Sequence, residues 1–286
     1  MNKLLLIGLL CLSQLQGYGQ KQAAKQTSKS SPFVIGTTET MTSAVLGENR
    51  VLNIYLPEGY DPKAATRYPV IYLLDGSADE DFIHVAGLVQ YCSFEWIKWL
   101  PKSIVVGIAN IDRKRDFTFP SNVPEEQQKY PTTGHSDKFI SFLSEELIPY
   151  IDAHYKTEQT KTIIGQSLGG LLATEILMKQ PQLFNQYIII SPSLWWNEGS
   201  ILLQPPTPFP QGQSTRRIYI GVGKEGSTPG AQPGNMEVDA HLLAEIMRGA
   251  HPEALVHMDY LQEEDHATAM HQALLNAFKW LGSKQP

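Results

Sequence analysis

The chain has 286 residues, 42% of them hydrophobic and 18% charged, with a formal net charge of −6. So much apolar material suffices for the core of one large domain and excludes a disordered chain. The acidic balance, with no basic run denser than Arg113-Lys114-Arg115, excludes a surface built to neutralise phosphates, so no nucleic-acid partner is expected.

Lys3 and the apolar residues 4–12 form a charged start and a hydrophobic stretch too short to span a bilayer, followed by the small residues Gly17 and Gly19. Residues 1–19 therefore read as an export signal, and the expected location is secreted or periplasmic, without stable membrane insertion after its removal. Cys11 follows the bulky Leu10, which disfavours a lipoprotein anchor. Cys11 leaves with the signal, so Cys92 remains as the sole thiol and no intramolecular disulfide can form. No basic group stands beside Cys92, which reads as a packing residue. Residues 20–31, rich in Lys, Gln, Ser and Thr without periodicity, read as a disordered spacer, and residues 32–286 as one domain.

Between residues 32 and 57, alternation as in Arg50-Val51-Leu52-Asn53-Ile54-Tyr55-Leu56 predicts two half-buried antiparallel strands at a sheet edge. The runs Pro69-Val70-Ile71-Tyr72-Leu73-Leu74 and Ile104-Val105-Val106-Gly107-Ile108 are nearly continuous, as in strands buried on both faces. Residues 112–136, polar and proline-containing, predict a long loop at the rim of a site. Apolar spacings of three and four predict helices over 139–150, 168–178, 238–247 and 267–281, and short apolar runs predict strands over 162–164, 187–190, 218–222 and 256–261. Residues 204–214, with four prolines, read as a second loop. Strands alternating with helices at this rhythm imply an α/β fold, a mostly parallel central sheet with helices on both faces. Ligands of such folds bind beyond the carboxyl ends of the strands.

Gly165-Gln166-Ser167-Leu168-Gly169 fits a strand-to-helix turn that exposes a nucleophilic serine, and a strand-like run ends just before it while a helix begins just after. This is the signature of the α/β-hydrolase fold. A serine hydroxyl needs a base, and among the five histidines after Ser167 only His266 falls between the last predicted strand and the last helix. The acid belongs on a loop between Ser167 and His266. Glu225, in Gly223-Lys224-Glu225-Gly226 after a strand, is the candidate. Glu237 and Asp239 begin a helix, where acidic residues also serve the helix dipole, and a serine-histidine pair can work alone. For the oxyanion, backbone N–H groups are expected from Leu168 and from Ser77, in the loop Leu73-Leu74-Asp75-Gly76-Ser77-Ala78. The acidic group Asp75, Asp79, Glu80, Asp81 with His84 fits no calcium-loop or zinc spacing, so no metal and no other cofactor is expected.

Arg67-Tyr68-Pro69-Val70-Ile71-Tyr72-Leu73-Leu74-Asp75-Gly76, the serine turn and Ser191-Pro192-Ser193-Leu194-Trp195-Trp196 resemble the putative-esterase family, which includes esterase D, feruloyl esterases and enterochelin esterases. The last of these stretches and Arg113-Lys114-Arg115-Asp116-Phe117-Thr118 most resemble its siderophore-hydrolase branch. The resemblance implies a serine esterase acting on a small-molecule or carbohydrate-linked ester, siderophore lactones among them, with Ser167 as nucleophile and His266 as base. It also implies that Trp195 and Trp196 line the substrate pocket, though both rings can equally serve core packing. Arg113 and Arg115 have two readings as well, contact with an anionic substrate or pairing with Asp112 and Asp116. The chain departs from the family in having Asp75-Gly76 where many hydrolases have His-Gly, and in lacking a glycine before His266. An acyltransferase using the same residues and a silent binding protein of the same fold are the competing readings.

Overall fold

The computed structural model describes residues 29–210, 216–227 and 235–283. The chain divides into two units, Met1–Phe33 and Val34–Pro286, and every element below belongs to the second. The expected export signal and residues 20–28 of the expected spacer lie outside the described residues.

Strands β1 (Thr37–Ser43) and β2 (Glu48–Tyr55) form the antiparallel pair that the alternation predicts. They are followed by β3 (Tyr68–Leu73), β4 (Ile104–Ile108), β5 (Thr157–Gln166), β6 (Gln186–Ile190), β7 (Arg217–Gly223) and β8 (Leu255–Leu261). The sheet order is β1-β2-β4-β3-β5-β6-β7-β8. Strand β2 meets β4 antiparallel, and every pairing from β4 to β8 is parallel. From β3 the chain goes first to one side, to β4, and then to the other, to β5. The carboxyl ends of β3 and β5 thus flank the point where strand order reverses, which is where such sheets bind ligands.

The helices are α1 (Phe82–Cys92), α2 (Arg113–Phe117), α3 (Pro124–Lys129), α4 (Ser136–Ser141), α5 (Ile148–His154), α6 (Leu168–Lys179), α7 (Met236–Ala250) and α8 (Ala269–Gly282). A π-helical turn, Phe142–Leu147, joins α4 to α5. Because successive strand residues point to opposite faces, the buried strands feed two cores. Val70 and Tyr72 pack with residues of α4 to α7, whereas Ile71 and Leu73 pack with α1 and α8. This is the two-faced burial that their continuous apolar runs announce.

Two stretches differ from expectation. Helix α1 has Gly87 in its middle, β-branched Ile83, Val85 and Val89, and no side-chain cap, so local preference does not predict it. It forms because Phe82, Val85, Ala86, Val89 and Cys92 are buried against the sheet. The Cys92 thiol is one of these buried groups, and burial pushes its pKa up to about 11, which suits packing rather than reactivity. Residues 112–136 are not a plain loop but hold α2 and α3. The Asp112 side chain caps α2 by accepting from the Arg115 amide at 3.0 Å, and Pro124 opens α3.

Candidate active site

Ser167 sits between β5 and α6 with φ 58° and ψ −118°, a conformation that costs about 1–3 kcal/mol for a residue with a side chain. The surroundings over-determine it. Its amide donates to the Ile190 carbonyl at 3.0 Å, and its own carbonyl accepts from Leu171 and Ser193 at 2.9 and 3.0 Å. The flanking glycines follow from the same crowding. A Cβ on Gly165 would lie 2.3 Å from the Gly169 carbonyl oxygen, and one on Gly169 would lie 3.2 Å from Asp75 Oδ2.

His266 lies in the turn between β8 and α8, with its carbonyl held by Gln166 Nε2 at 2.6 Å. Its Nε2 stands 3.0 Å from Ser167 Oγ and its Nδ1 2.6 Å from Glu225 Oε2. A carboxylate only accepts, so Nδ1 carries the proton and Nε2 is free to take one from the serine. The Glu225 side chain is 3% exposed, against 47% for His266. Burial alone would raise the Glu225 pKa, but hydrogen bonds from His266, Ser191 and the Gly223 amide outweigh it and hold the carboxyl below its ordinary value. The acid loop is in turn fastened from behind. Glu237, in the first turn of α7, accepts from the Glu225 amide at 2.9 Å and the Gly226 amide at 3.1 Å. Gly223 lets the acid and histidine loops touch, since a Cβ there would lie 2.7 Å from the Glu264 carbonyl oxygen.

Two cavities, of about 230 and 210 Å³, meet at Ser167, Ser193 and Trp195. The first is lined also by Arg113, Lys114, Tyr130, Leu168 and Trp196, the second by Glu225, Ser227, Met236 and His266. Trp195 therefore borders both. Trp196 is 1% exposed and donates its indole N–H to the Phe119 carbonyl at 2.7 Å, so it packs as well as forming a wall. A larger hollow of about 460 Å³, lined by Pro69, Trp99 and Gln186, lies where the parallel strands begin and contains none of these groups. No cluster of three or more metal-ligating side chains occurs among the described residues.

Two expected residues stand elsewhere. Arg115 lines neither cavity, because Glu48 at 2.6 Å and Asp116 at 2.7 Å engage its guanidinium. Ser77, whose N–H is the expected second oxyanion donor, also lines neither, and its carbonyl accepts from Glu80 and Phe82 as α1 begins. Leu74 and Asp75 of that loop pack beside the serine turn, Asp75 with φ 56°. Its carboxylate receives Arg113 Nε at 2.6 Å and Nη2 at 2.9 Å, and Asn110 Nδ2 at 2.7 Å. Sequence reasoning missed Lys114, Ser191, Ser193 and the clamp by Glu237. Ser191 and Ser193 follow β6, which neighbours β5, the strand that leads into Ser167, so their place after that strand was the available signal. Ser193 Oγ lies 3.3 Å from Ser167 Oγ.

Comparison with known proteins agrees with this architecture. A ferri-bacillibactin esterase, BesA, of Bacillus subtilis (strain 168) is 34% identical over 186 residues, 60% of this chain and 64% of that one, which is less than two thirds of the relative's length. The crystal structure of an IroE-like serine hydrolase from Shewanella oneidensis matches with a TM-score of 0.72 and 28% identity, covering 86% of this chain and 79% of that one. The siderophore hydrolase EstA from Aspergillus nidulans, 18% identical, shares the fold with a TM-score of 0.74 over 91% of this chain and 99% of its own. The parallel sheet, its two helical layers and the strained serine turn are those of an α/β-hydrolase. Since the Putative esterase family model matches residues 43–276, from the end of β1 into α8 and across the serine, acid and histidine loops alike, this chain belongs to that family.

Proposed function

We propose that the protein is a serine hydrolase that cleaves carboxylic esters through an acyl-enzyme on Ser167. The observation that carries this reading is the unbroken hydrogen-bonded chain from Ser167 Oγ through His266 to Glu225, at the junction of two cavities. Ser167 Oγ attacks the carbonyl carbon while His266 Nε2 takes its proton, and the buried Glu225 carboxylate stabilises the imidazolium that results. The Leu168 N–H, the first of α6, stabilises the developing oxyanion together with the positive end of that helix. His266 then passes its proton to the leaving alkoxide. Water, deprotonated by the same imidazole, attacks the acyl-enzyme and releases the acid. None of these steps calls for a metal or an organic cofactor.

The substrates best supported are small siderophore-type esters, since a ferri-bacillibactin esterase and two siderophore esterases align with parts of this chain. Residues 1–19 support export, on the strength of Lys3 and the short apolar run behind it. Among the described residues no helix is long and apolar enough to cross a membrane. Hydrolysis of p-nitrophenyl acetate and butyrate by the wild type, Ser167→Ala and His266→Ala is the decisive measurement. Each variant is expected to lose at least about a thousandfold in kcat/KM. Variants as active as the wild type would refute the assignment.

A further inference from the structure

We infer that the two cavities divide the ester between them, the acyl group lying toward Lys114 and the alcohol toward Met236, and that Lys114 selects acyl groups carrying a negative charge. The inference rests on the ester-hydrolase reading above and adds the polarity of the site to it. Ser167, Ser193 and Trp195 border both cavities, which places the scissile carbonyl at their junction. His266 lines only the second. The leaving alkoxide takes its proton from His266 Nε2, so the alcohol departs on that side, past Ser227 and Met236. The acyl carbon stays bonded to Ser167, and its chain occupies the other cavity, beside Leu168.

The cavities also differ in charge. The alcohol side contains the Glu225 carboxylate, whereas among the described residues no Asp or Glu lines the acyl side. Of the three consecutive cations, Arg113 is gripped by Asp75, and Arg115 by Glu48 and Asp116. Lys114 makes no ion pair among the described residues, and its ammonium lies 4.8 Å from the centroid of the Tyr130 ring, which lines the same cavity. Lys129 approaches that ring too, at 5.2 Å, but does not line the cavity. The nearby hydroxyls of Thr118 and Thr133 are spent on the carbonyls of Lys114 and Tyr130. What remains for a ligand is aromatic wall from Tyr130 and Trp195 and one ammonium without a carboxylate. That combination suits a flat ring with an anionic substituent.

The test compares p-nitrophenyl benzoate with mono-p-nitrophenyl terephthalate, which share alcohol and ring and differ by one carboxylate. The wild type is expected to favour the charged ester by about fivefold in kcat/KM, as befits a solvent-exposed ion pair. The preference should vanish in Lys114→Gln, reverse in Lys114→Glu, and shrink in the wild type at 0.5 M salt. Met236→Ala should change the ratio of ethyl to butyl benzoate hydrolysis and leave the terephthalate-to-benzoate ratio as it was. Turnover of both aryl esters with the same ratio in all three Lys114 chains would overturn the role of Lys114 while leaving the hydrolase reading intact. If Met236→Ala moves the acyl ratio instead of the alcohol ratio, the division of the cavities is wrong. Absence of turnover on every ester would overturn the hydrolase reading and this inference with it.

Discussion

At the residue scale, Glu225, the proposed acid, is held by groups that make no hydrogen bond to Ser167. Glu225 presents one oxygen to His266 and the other to Ser191 and the Gly223 amide, so its rotamer has no freedom left. Glu237 fixes the backbone beneath it. Replacing Glu237 with Ala frees two amides and lets the acid drift from Nδ1. We expect kcat to fall about tenfold with KM nearly unchanged, because the lost contact acts on imidazolium stabilisation and not on substrate binding. Steady-state kinetics beside a thermal melt would check this, and an unaltered kcat would mean that Ser191 and Gly223 hold the acid unaided. The pKa direction adds a sign. A carboxyl held below its unfolded value contributes stability that is complete above that value, near 4.3, and is lost as pH falls through the lower folded one.

At the scale of elements, α1 shows what tertiary burial costs at its own N-terminus. Asp81 occupies the N-cap position but makes no side-chain cap. Its pKa rises to about 6, first through burial and then through Asp75 and Glu80, with Arg113 opposing. His84 on α1 stands 4.0 Å from it. A carboxyl whose folded pKa lies above its unfolded value destabilises the fold wherever it must ionise, fully above pH 6, and the penalty fades as pH falls toward 4. Asp81→Asn should therefore stabilise the protein by about 1–3 kcal/mol at pH 8 and by little at pH 4. Thermal melts at the two pH values read this as a shift of a few degrees at the higher one only. Equal shifts at both would point to capping instead of charge. The serine turn makes the complementary point, since β5 and α6 meet so closely that Gly165 has no room for a methyl group.

For the molecule as a whole, the cationic stretch of α2 is tied to the antiparallel edge by charges taken out of water. Arg50 on β2 and Asp116 on α2 are 0% and 1% exposed and pair at 2.9 Å, with Glu48 on the same guanidinium at 2.8 Å. Phe139 and Phe142 pack around Arg50, with ring centroids 5.2 and 5.9 Å from its guanidinium carbon. Removing one partner strands the other, so Asp116→Ala should cost about 3–5 kcal/mol of stability. Urea denaturation measures this, and a cost under about 1 kcal/mol would show that Glu48 alone satisfies the arginine. The same anchor holds the segment on which Arg113 and Lys114 sit, so global stability and the acyl cavity share a support.

Local chemistry announced much of this. Continuous apolar runs revealed strands buried on both faces, since only a sheet covered twice spends so many apolar residues in succession. Glycines on either side of Ser167 revealed the strained turn, and the place of His266 between the last strand and the last helix singled it out from the other histidines. Helix α1 stayed hidden, because its residues earn their helical state by burial and not by preference. The pairing of Arg115 with Asp116 was legible as one of two readings, but the other partners of Arg113, Lys114 and Arg115 were not. Three neighbouring cations look alike in a chain, and only the fold brings Asp75 to the first and adds Glu48 to Asp116 at the third, while among the described residues the second makes no ion pair. Periodicity and turn chemistry act between residues close in sequence, so the sequence by itself determined the layers and the serine turn. Charge pairing and cavity shape depend on groups far apart along the chain, and those were decided by the tertiary structure alone.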